Sequence, residues 1–148
     1  MKLAIIHEWL NIYGGSERLL TKILGMYPQA DLHALIHNKQ NLIGTPLDGV
    51  DVKTSFLQNI PRVEHLYRGL LPLMPFAIER MDVRKYDVVL SISHAVAHGI
   101  KTSRNQIHIS YVCTPMRYAW HLQDDYLHLH HLDKPLIGAA ARLTLSLL

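Results

Sequence analysis

Residues 2–28 decide the fold and read KLAIIHEWLNIYGGSERLLTKILGMYP. The short apolar run at residues 2–6, followed by a loop and Gly14-Gly15, is typical of a buried strand. After the glycines, apolar residues recur at the spacing of one helix face: Leu19, Leu20, Ile23, Leu24 and Tyr27. Ser16 stands where an N-cap belongs, and Pro28 fits just past the end of such a helix. The segment therefore predicts a strand, a glycine turn and a helix.

The rest of the chain continues this alternation. Four further segments have strand patterns, namely residues 32–36, 50–54, 87–91 and 107–112. Helical patterns cover residues 61–78, with interruptions at Pro72 and Pro75, and residues 135–148. Alternating strands and helices predict an α/β fold: a Rossmann-like, mainly parallel sheet with helices on both faces. The strand at residues 50–54 alternates, so we expect it to be more exposed than the others.

In such sheets, ligands bind beyond the carboxyl ends of the strands. This rule selects three loops, at residues 7–18, 91–99 and 113–120. His7 closes the first predicted strand, and His94 follows the strand at residues 87–91. Both imidazoles suit acid–base chemistry near neutral pH. The alternative for His7 is a packed histidine with a satisfied hydrogen bond.

Gly14 and Gly15 lie between the first strand and the first helix. Glycines there let the backbone approach a phosphate, and the helix start offers free N–H groups. An ordinary turn explains the same pair. The pattern Gly-x-Gly-x-x-Gly is absent, so a nicotinamide dinucleotide site is not supported. The Gly-x-Ser-x-Gly frame is also missing around His94, which sets aside a serine hydrolase.

The segment TPMRYAW at residues 114–120 is the most unusual in the chain. Arg117 suits a phosphate through its planar guanidinium, and Tyr118 and Trp120 suit the apolar face of a sugar. The alternative is a loop anchored by two core aromatics. The location after a strand favours a binding role.

The chain has 148 residues, a formal charge of +3 and a sequence pI of about 9.1. This mild positive charge suits anionic partners such as nucleotide-sugars or an acidic membrane face. No dense basic stripe with interleaved aromatics supports nucleic-acid binding. No apolar run reaches ~18 residues, so we expect no transmembrane helix. The single cysteine, Cys113, favours a reduced, cytoplasmic setting.

Histidines and aspartates cluster near the end of the chain and raise the question of a metal. Their spacing is irregular compared with zinc motifs. A solvated or interfacial histidine-rich stretch is therefore the favoured interpretation, and we expect no metal site. The residues concerned are His121, Asp124, Asp125, His128, His130 and His131.

Three blocks in this order resemble the bacterial family 4 glycosyltransferases. They are the opening KLAIIHEWL with YGGSER, residues 91–99, and TPMRYAW. Together they span nearly the whole chain. Family members often have a histidine just before Thr-Pro, where this chain has Cys113, and an aspartate where it has Glu8. These departures leave His94 and His7 as the catalytic candidates.

The resemblance implies the N-terminal half of a GT-B fold, in which two Rossmann-like domains face each other across a cleft. This half shapes the acceptor site, which places Arg117, Tyr118 and Trp120 at the acceptor. Gly14, Gly15 and Arg18 belong to the block that approaches the donor phosphates. The implied reaction transfers a sugar, with retention and without a metal or other cofactor, from a nucleotide-sugar to a glycan or lipid-linked acceptor in surface polysaccharide synthesis.

The donor-binding C-terminal domain of such an enzyme has no counterpart in these 148 residues. The final apolar residues carry no helix stop signal. We therefore expect residues 1–148 to form one acceptor-side domain that ends within a helix and is inactive alone.

The stretch at residues 63–85 is apolar and carries Arg68, Arg80, Arg84 and Lys85. It suits peripheral contact with the inner membrane face as well as it suits core helices with ordinary surface charge. A different class of function also stays open. It is a non-enzymatic Rossmann-like module that binds a partner or a phosphate ligand.

Overall fold

The structure is a computed structural model that describes residues 1–114. Five strands form a single all-parallel sheet in the order β3-β2-β1-β4-β5. The strands are β1 (Leu3–Leu10), β2 (Asp31–His37), β3 (Val52–Thr54), β4 (Val88–Ser93) and β5 (Ile107–Val112). The helices are α1 (Gly15–Met26), α2 (Val63–Leu66) and α3 (Met74–Glu79). This arrangement confirms the predicted α/β, Rossmann-like parallel sheet.

Helices cover the two faces of the sheet and build a separate apolar core on each. On one face, Leu20 and Ile23 of α1 pack with Leu3 and Ile5 of β1. On the other face, α3 packs against the alternate β1 residues, which include Ala4 and Ile6. A central strand of a parallel sheet is buried on both sides, and this explains the nearly continuous apolar run at the start of β1.

The edge strands are more exposed than the central ones. β3 has only three residues, none of them buried, as its alternating sequence predicted. β5 lies at the opposite edge, and Ile107, Ile109 and Tyr111 are each more than half exposed within the described part of the chain. The register is continuous across the centre, where Ile5 of β1 pairs with Leu32 of β2 and with Leu90 of β4.

The start of α1 differs from the prediction. The N-cap is Gly14 and Gly15 is the first helical residue, so Ser16 is not the cap. Glu17 takes over the capping role, because its Oε2 accepts the backbone N–H of Gly14 at 2.9 Å. An acidic side chain here also complements the positive end of the helix dipole. The helix ends as expected, with Tyr27 as its C-cap and Pro28 next.

The region after β3 is broken into short pieces, as its prolines predicted. Between α2 and α3 lies a 3₁₀ segment (Tyr67–Leu73) that contains Pro72, and Pro75 occupies the first turn of α3. Proline fits there because the first helical N–H groups have no partner within the helix. In residues 1–114, no helix is long and apolar enough to cross a membrane.

The strand order changes direction between β1 and β4. From β1 the chain moves outward to β2 and β3, then returns to the other side of β1 for β4 and β5. Two adjacent loops therefore leave the same edge of the sheet in opposite directions, an arrangement that forms a crevice in open α/β sheets. This is the position at which open α/β sheets bind ligands.

Candidate functional site

The crevice between the loops after β1 and β4 brings together residues that are far apart in the sequence. We call it the switch-point site and define it by His7, Glu8, Gly14, Gly15 and His94. The glycine turn and α1 follow β1 on one side, and His94 directly follows β4 on the other. Of the sequence-predicted residues, His7, Gly14, Gly15 and His94 therefore share one edge of the sheet. Arg18 lies on the exposed side of the first turn of α1.

Glu8 is the centre of this site. Its side chain is fully buried. Its Oε1 accepts the hydroxyl of Ser93 at 3.0 Å and the backbone N–H groups of Ala95 at 2.6 Å and Ala97 at 3.0 Å. The N–H of Val96 also donates to this oxygen. Successive N–H groups of this kind form a concave anion site, so the carboxylate of β1 fixes the loop that follows β4.

These contacts keep the carboxylate charged. Burial by itself raises the pKa of Glu8, but the adjacent His94 imidazole and the N–H groups of Ala97 and Ala95 outweigh it. The pKa falls from 4.5 to about 2. Glu8 is therefore an anion at physiological pH, built into the fold and satisfied by one loop.

Glu8 also orients His94. Nδ1 of His94 lies 2.7 Å from Oε2 of Glu8, and the side chain keeps about 20% of its surface exposed. The ring meets Trp9 edge to face, with centroids 4.6 Å apart. A carboxylate at one ring nitrogen fixes the orientation of an imidazole and leaves the other nitrogen for chemistry. Within residues 1–114, Nε2 of His94 has no hydrogen-bond partner, and the buried Nδ1 meets Oε2 of Glu8 as an ion-pair contact without hydrogen-bond geometry.

His7 is placed differently from the prediction. β1 continues to Leu10, so His7 lies within the strand and is fully buried. Neither ring nitrogen has a hydrogen-bond partner in the described part of the chain. Burial lowers the pKa of His7, although the charges of Glu17 and Glu8 oppose this effect. A neutral, enclosed imidazole is therefore expected here, in place of a solvent-facing acid or base.

A line of contacts joins the two loops through His7. Nε2 of His7 lies 3.7 Å from Oε1 of Glu17, whose other oxygen holds the N–H of Gly14. On the opposite side of His7, the centroids of the His7 and His94 rings are 6.5 Å apart. The glycine turn and His94 thus lie at the two ends of one buried polar group.

Some backbone N–H groups at the start of α1 have no hydrogen-bond acceptor within the described residues. The N–H of Gly14 is occupied by Glu17, and the first helical hydrogen bond runs from the N–H of Arg18 to the carbonyl of Gly14. Residues 1–114 contain no acceptor for the N–H groups of Gly15, Ser16 and Glu17. Free N–H groups at the positive end of a helix are suited to an anion.

Cys113 lies at the margin of the same site. Its N–H donates to the carbonyl of Ser93 at 2.7 Å. Burial raises the pKa of the half-buried thiol, and the negative charges of Glu8 and Glu17 raise it further. The thiol therefore stays protonated at neutral pH.

Several sequence-predicted residues lie outside the described part of the chain. They include the acceptor candidates Arg117, Tyr118 and Trp120 and the histidine-rich stretch at residues 121–131. Within residues 1–114, no group of three or more histidine, cysteine, aspartate or glutamate side chains is arranged to hold a metal ion.

Sequence reasoning missed the role of Glu8, which it treated only as a departure from a family pattern. The available signal was an acidic residue inside an otherwise apolar strand, because a charge is buried only where it is paired or hydrogen-bonded. It also missed a group of amide side chains around Asn11, Asn38 and Asn41, beside the carboxyl ends of β1 and β2.

Searches of protein-family models, curated proteins and solved structures found no match to this chain. The fold and the site define a class: an α/β protein with a Rossmann-like parallel sheet and a polar site at the switch point of its strand order.

Proposed function

We propose that this chain is the acceptor-side domain of a retaining glycosyltransferase that resembles family 4. In this proposal it works with a second, donor-binding domain to move a sugar from a nucleotide-sugar to a glycan or lipid-linked acceptor. One observation supports it above the others. The free N–H groups at the start of α1 and the oriented imidazole of His94 lie at one switch point, linked by His7 and Glu17.

The reaction requires a diphosphate to leave as a sugar arrives at the acceptor. The bond between the anomeric carbon and the phosphate oxygen breaks, and a bond to the acceptor oxygen forms. The acceptor proton passes to the leaving phosphate, so no protein base and no metal is required. The protein's task is to stabilise the charge on that phosphate, for which the N–H groups of Gly15 and Ser16 and the side chain of Arg18 are suited.

His94 is the catalytic candidate in this scheme, in which it contacts the reacting groups and does not act as the base. Its Nε2 is free within the described residues, and Glu8 holds the other side of the ring. His7 is fully buried, so it acts as a positioning residue between Glu17 and His94. Arg117, Tyr118 and Trp120 remain the proposed acceptor contacts from the sequence.

The proposal includes peripheral contact with an acidic membrane face, where lipid-linked acceptors are found. The 3₁₀ segment and α3 expose Leu73 and Phe76, each close to half. The guanidinium of Arg80 lies 4.0 Å from the centroid of the Phe76 ring. Apolar side chains beside cations are typical of surfaces that bind at the membrane interface.

Backbone NMR tests the proposal directly on the 148-residue chain. Nucleotide-sugars with uridine, guanosine and adenosine diphosphates are titrated first, followed by UDP and GDP. Shifts are expected at the amides of residues 14–18 and 94–97. The proposal fails if none of these ligands moves those resonances. A transfer assay with the same donors should show no turnover by this chain alone and turnover once it is joined to a donor-binding domain.

The second candidate is a non-enzymatic module that binds a phosphate ligand. The three N–H groups at the start of α1 that have no acceptor within residues 1–114 favour it as much as they favour a transferase, since binding alone needs nothing more. The NMR titration supports both functions, and the transfer assay separates them. His94→Ala should lower transfer and leave phosphate binding almost unchanged if the chain belongs to an enzyme.

A further inference from the structure

A second pocket lies beside the switch-point site, beyond the carboxyl ends of β1, β2 and β3. It has a volume of about 650 Å³, within the usual range for small-molecule sites. We call it the amide pocket, because carboxamide side chains dominate its wall: Asn11, Asn38, Gln40, Asn41 and Gln58. Neither the glycine turn nor His94 contributes to it.

The floor of the pocket is held in place by hydrogen bonds between three segments. The side chain of Asn11 donates to the carbonyl of Glu64 at 3.1 Å and accepts from the amide of Asn38 at 3.1 Å. The amide of Asn41 donates to the carbonyl of Asn11 at 3.0 Å. Since Asn11 is itself buried, this floor is pre-organised, which reduces the entropy lost when a ligand binds.

Other polar groups of the wall are left for a ligand. Oε1 of Gln58 accepts the N–H of His37 at 2.7 Å, and its NH₂ group has no acceptor within the described residues. The hydroxyl of Thr54 and the ring of His37 also lack hydrogen-bond partners there. Because His37 is buried, these groups form a donor and acceptor set around an enclosed imidazole.

The pocket carries little net charge. Its wall has one lysine, Lys39, and one glutamate, Glu64. Burial lowers the pKa of His37, and the positive charge of Lys39 lowers it further, so the ring is neutral near pH 7. His65 lies 3.8 Å from the Glu64 carboxylate and is exposed. A balanced wall does not select an anion, in contrast to the start of α1.

We propose that the amide pocket binds a neutral, polyhydroxylated ligand, a saccharide unit. Carboxamides offer a donor and an acceptor side by side, which matches vicinal hydroxyl groups. The volume accommodates one or two sugar rings, and Ile12 and Val52 supply apolar patches for their C–H faces. Identification of this saccharide as the acceptor rests on the proposed function, whereas saccharide binding by the pocket does not.

Two nearly isosteric variants test the pocket. Gln58→Glu keeps the oxygen that accepts from His37 and removes the free NH₂ donors. Thr54→Val removes one hydroxyl at nearly constant shape. Gln29→Glu is the matched control, because Gln29 is exposed and lies outside the pocket. Equal melting temperatures of the three variants and the parent chain establish that folding is preserved.

The probes are the methyl glycosides of glucose, galactose and mannose, together with N-acetylglucosamine, titrated by NMR. At least one should shift the amides of residues 11–12 and 38–41 and the side-chain NH₂ of Gln58. Gln58→Glu and Thr54→Val should each weaken that binding by about 2- to 12-fold, the range for one net hydrogen bond. Gln29→Glu should leave it unchanged.

Three outcomes overturn the proposal. They are no shift in the pocket with any saccharide, unchanged binding by both pocket variants, and stronger binding of inorganic phosphate than of the glycosides at the pocket. If the saccharides shift only the amides of residues 14–18 and 94–97, saccharide binding by the amide pocket is wrong, and the proposed transferase function is still supported. If saccharides bind in the amide pocket but nucleotide-sugars do not shift the amides of residues 14–18 and 94–97, the pocket proposal is supported. The same result contradicts the proposed transferase function.

Discussion

Glu8 links folding and function in one side chain. A buried carboxylate is costly unless hydrogen bonds and charges satisfy it, and here five donors and an imidazole do so. All of them lie 85 to 89 residues further along the chain. Glu8 therefore fixes the position of His94 relative to β1 as a consequence of folding.

Glu8→Gln should destabilise the protein in a pH-dependent way. The pKa of Glu8 is about 2 in the fold against an ordinary 4.5, so its charge contributes stability that is fully present above about pH 4.5. That contribution is lost as pH falls toward 2. A shift of this size corresponds to about 3 kcal/mol. Urea unfolding of both proteins measures the difference, which should be largest near neutral pH and should shrink in acid.

Asp51→Asn is the control for this experiment, because Asp51 is exposed and lies just before β3. It should change the free energy of unfolding by less than about 0.5 kcal/mol. The difference between parent and variant is the quantity to compare, since burial also lowers the pKa of His33 to about 4. That histidine costs stability in both proteins alike as pH falls below 6.5. A pH-independent effect of Glu8→Gln would contradict the role given to its charge.

The strands were predictable from the sequence because their apolar patterns are local. The fifth strand was predicted at residues 107–112 and is observed as Ile107–Val112. β1 was predicted to stop near His7 and extends to Leu10. The extension comes from the pairing of Trp9 and Leu10 with Ile36 and His37 of β2, a contact between distant segments that no local pattern reveals. The amide pocket was unpredictable for the same reason, since its wall comes from five separate stretches of the chain.

Substitution of Gly15, at the start of α1, separates an effect on protein stability from an effect on sugar transfer. Its φ is not positive, and an added Cβ would meet no atom within 4 Å. Gly15→Val should therefore change stability by less than about 1 kcal/mol. In a polypeptide that joins this chain to a donor-binding domain, the same change should lower transfer by about 10²–10³-fold, the loss typical of one donor to developing charge.

Gly44→Val is the matched control for the glycine test. Gly44 has φ +74° and an equally open surrounding, so a side chain there is strained and should cost about 1–2 kcal/mol. It should leave transfer by the folded fraction unchanged. If Gly15→Val lowers the melting temperature while its folded fraction transfers sugar normally, the glycine is structural and the phosphate does not approach this turn.

Several surface cations of the described chain form ion pairs with acidic groups. Arg84 forms two hydrogen bonds with the carboxylate of Asp82, and Lys53 and Lys85 both contact Asp31. Arg80 differs, because its guanidinium lies over the ring of Phe76. The surface that combines exposed apolar side chains with such a cation is the one formed by the 3₁₀ segment and α3. The sequence pointed to residues 63–85 and four of their cations as a membrane-contact surface. It could not show that Arg84 and Lys85 form ion pairs with Asp82 and Asp31.

This surface should bind acidic vesicles through Arg80 and its apolar neighbours. Co-sedimentation of the chain with vesicles of phosphatidylglycerol and phosphatidylcholine should exceed that with phosphatidylcholine alone and should decrease as salt is added. Arg80→Gln should lower the partition coefficient by about fivefold, because one cation near an acidic surface contributes about 1 kcal/mol. Phe76→Ser should weaken binding to both kinds of vesicle, since it removes apolar area.

The matched controls are Arg104→Gln and Ile43→Ser, which change an exposed cation and an exposed apolar side chain elsewhere on the chain. Neither should alter partitioning by more than about twofold if contact is confined to the surface around α3. If Arg80→Gln and Arg104→Gln lower the partition coefficient equally, the net charge of +3 attracts the protein to the membrane and no particular surface of the protein makes the contact. In that case the lipid surface would contribute nothing to the orientation of the switch-point site toward a lipid-linked acceptor.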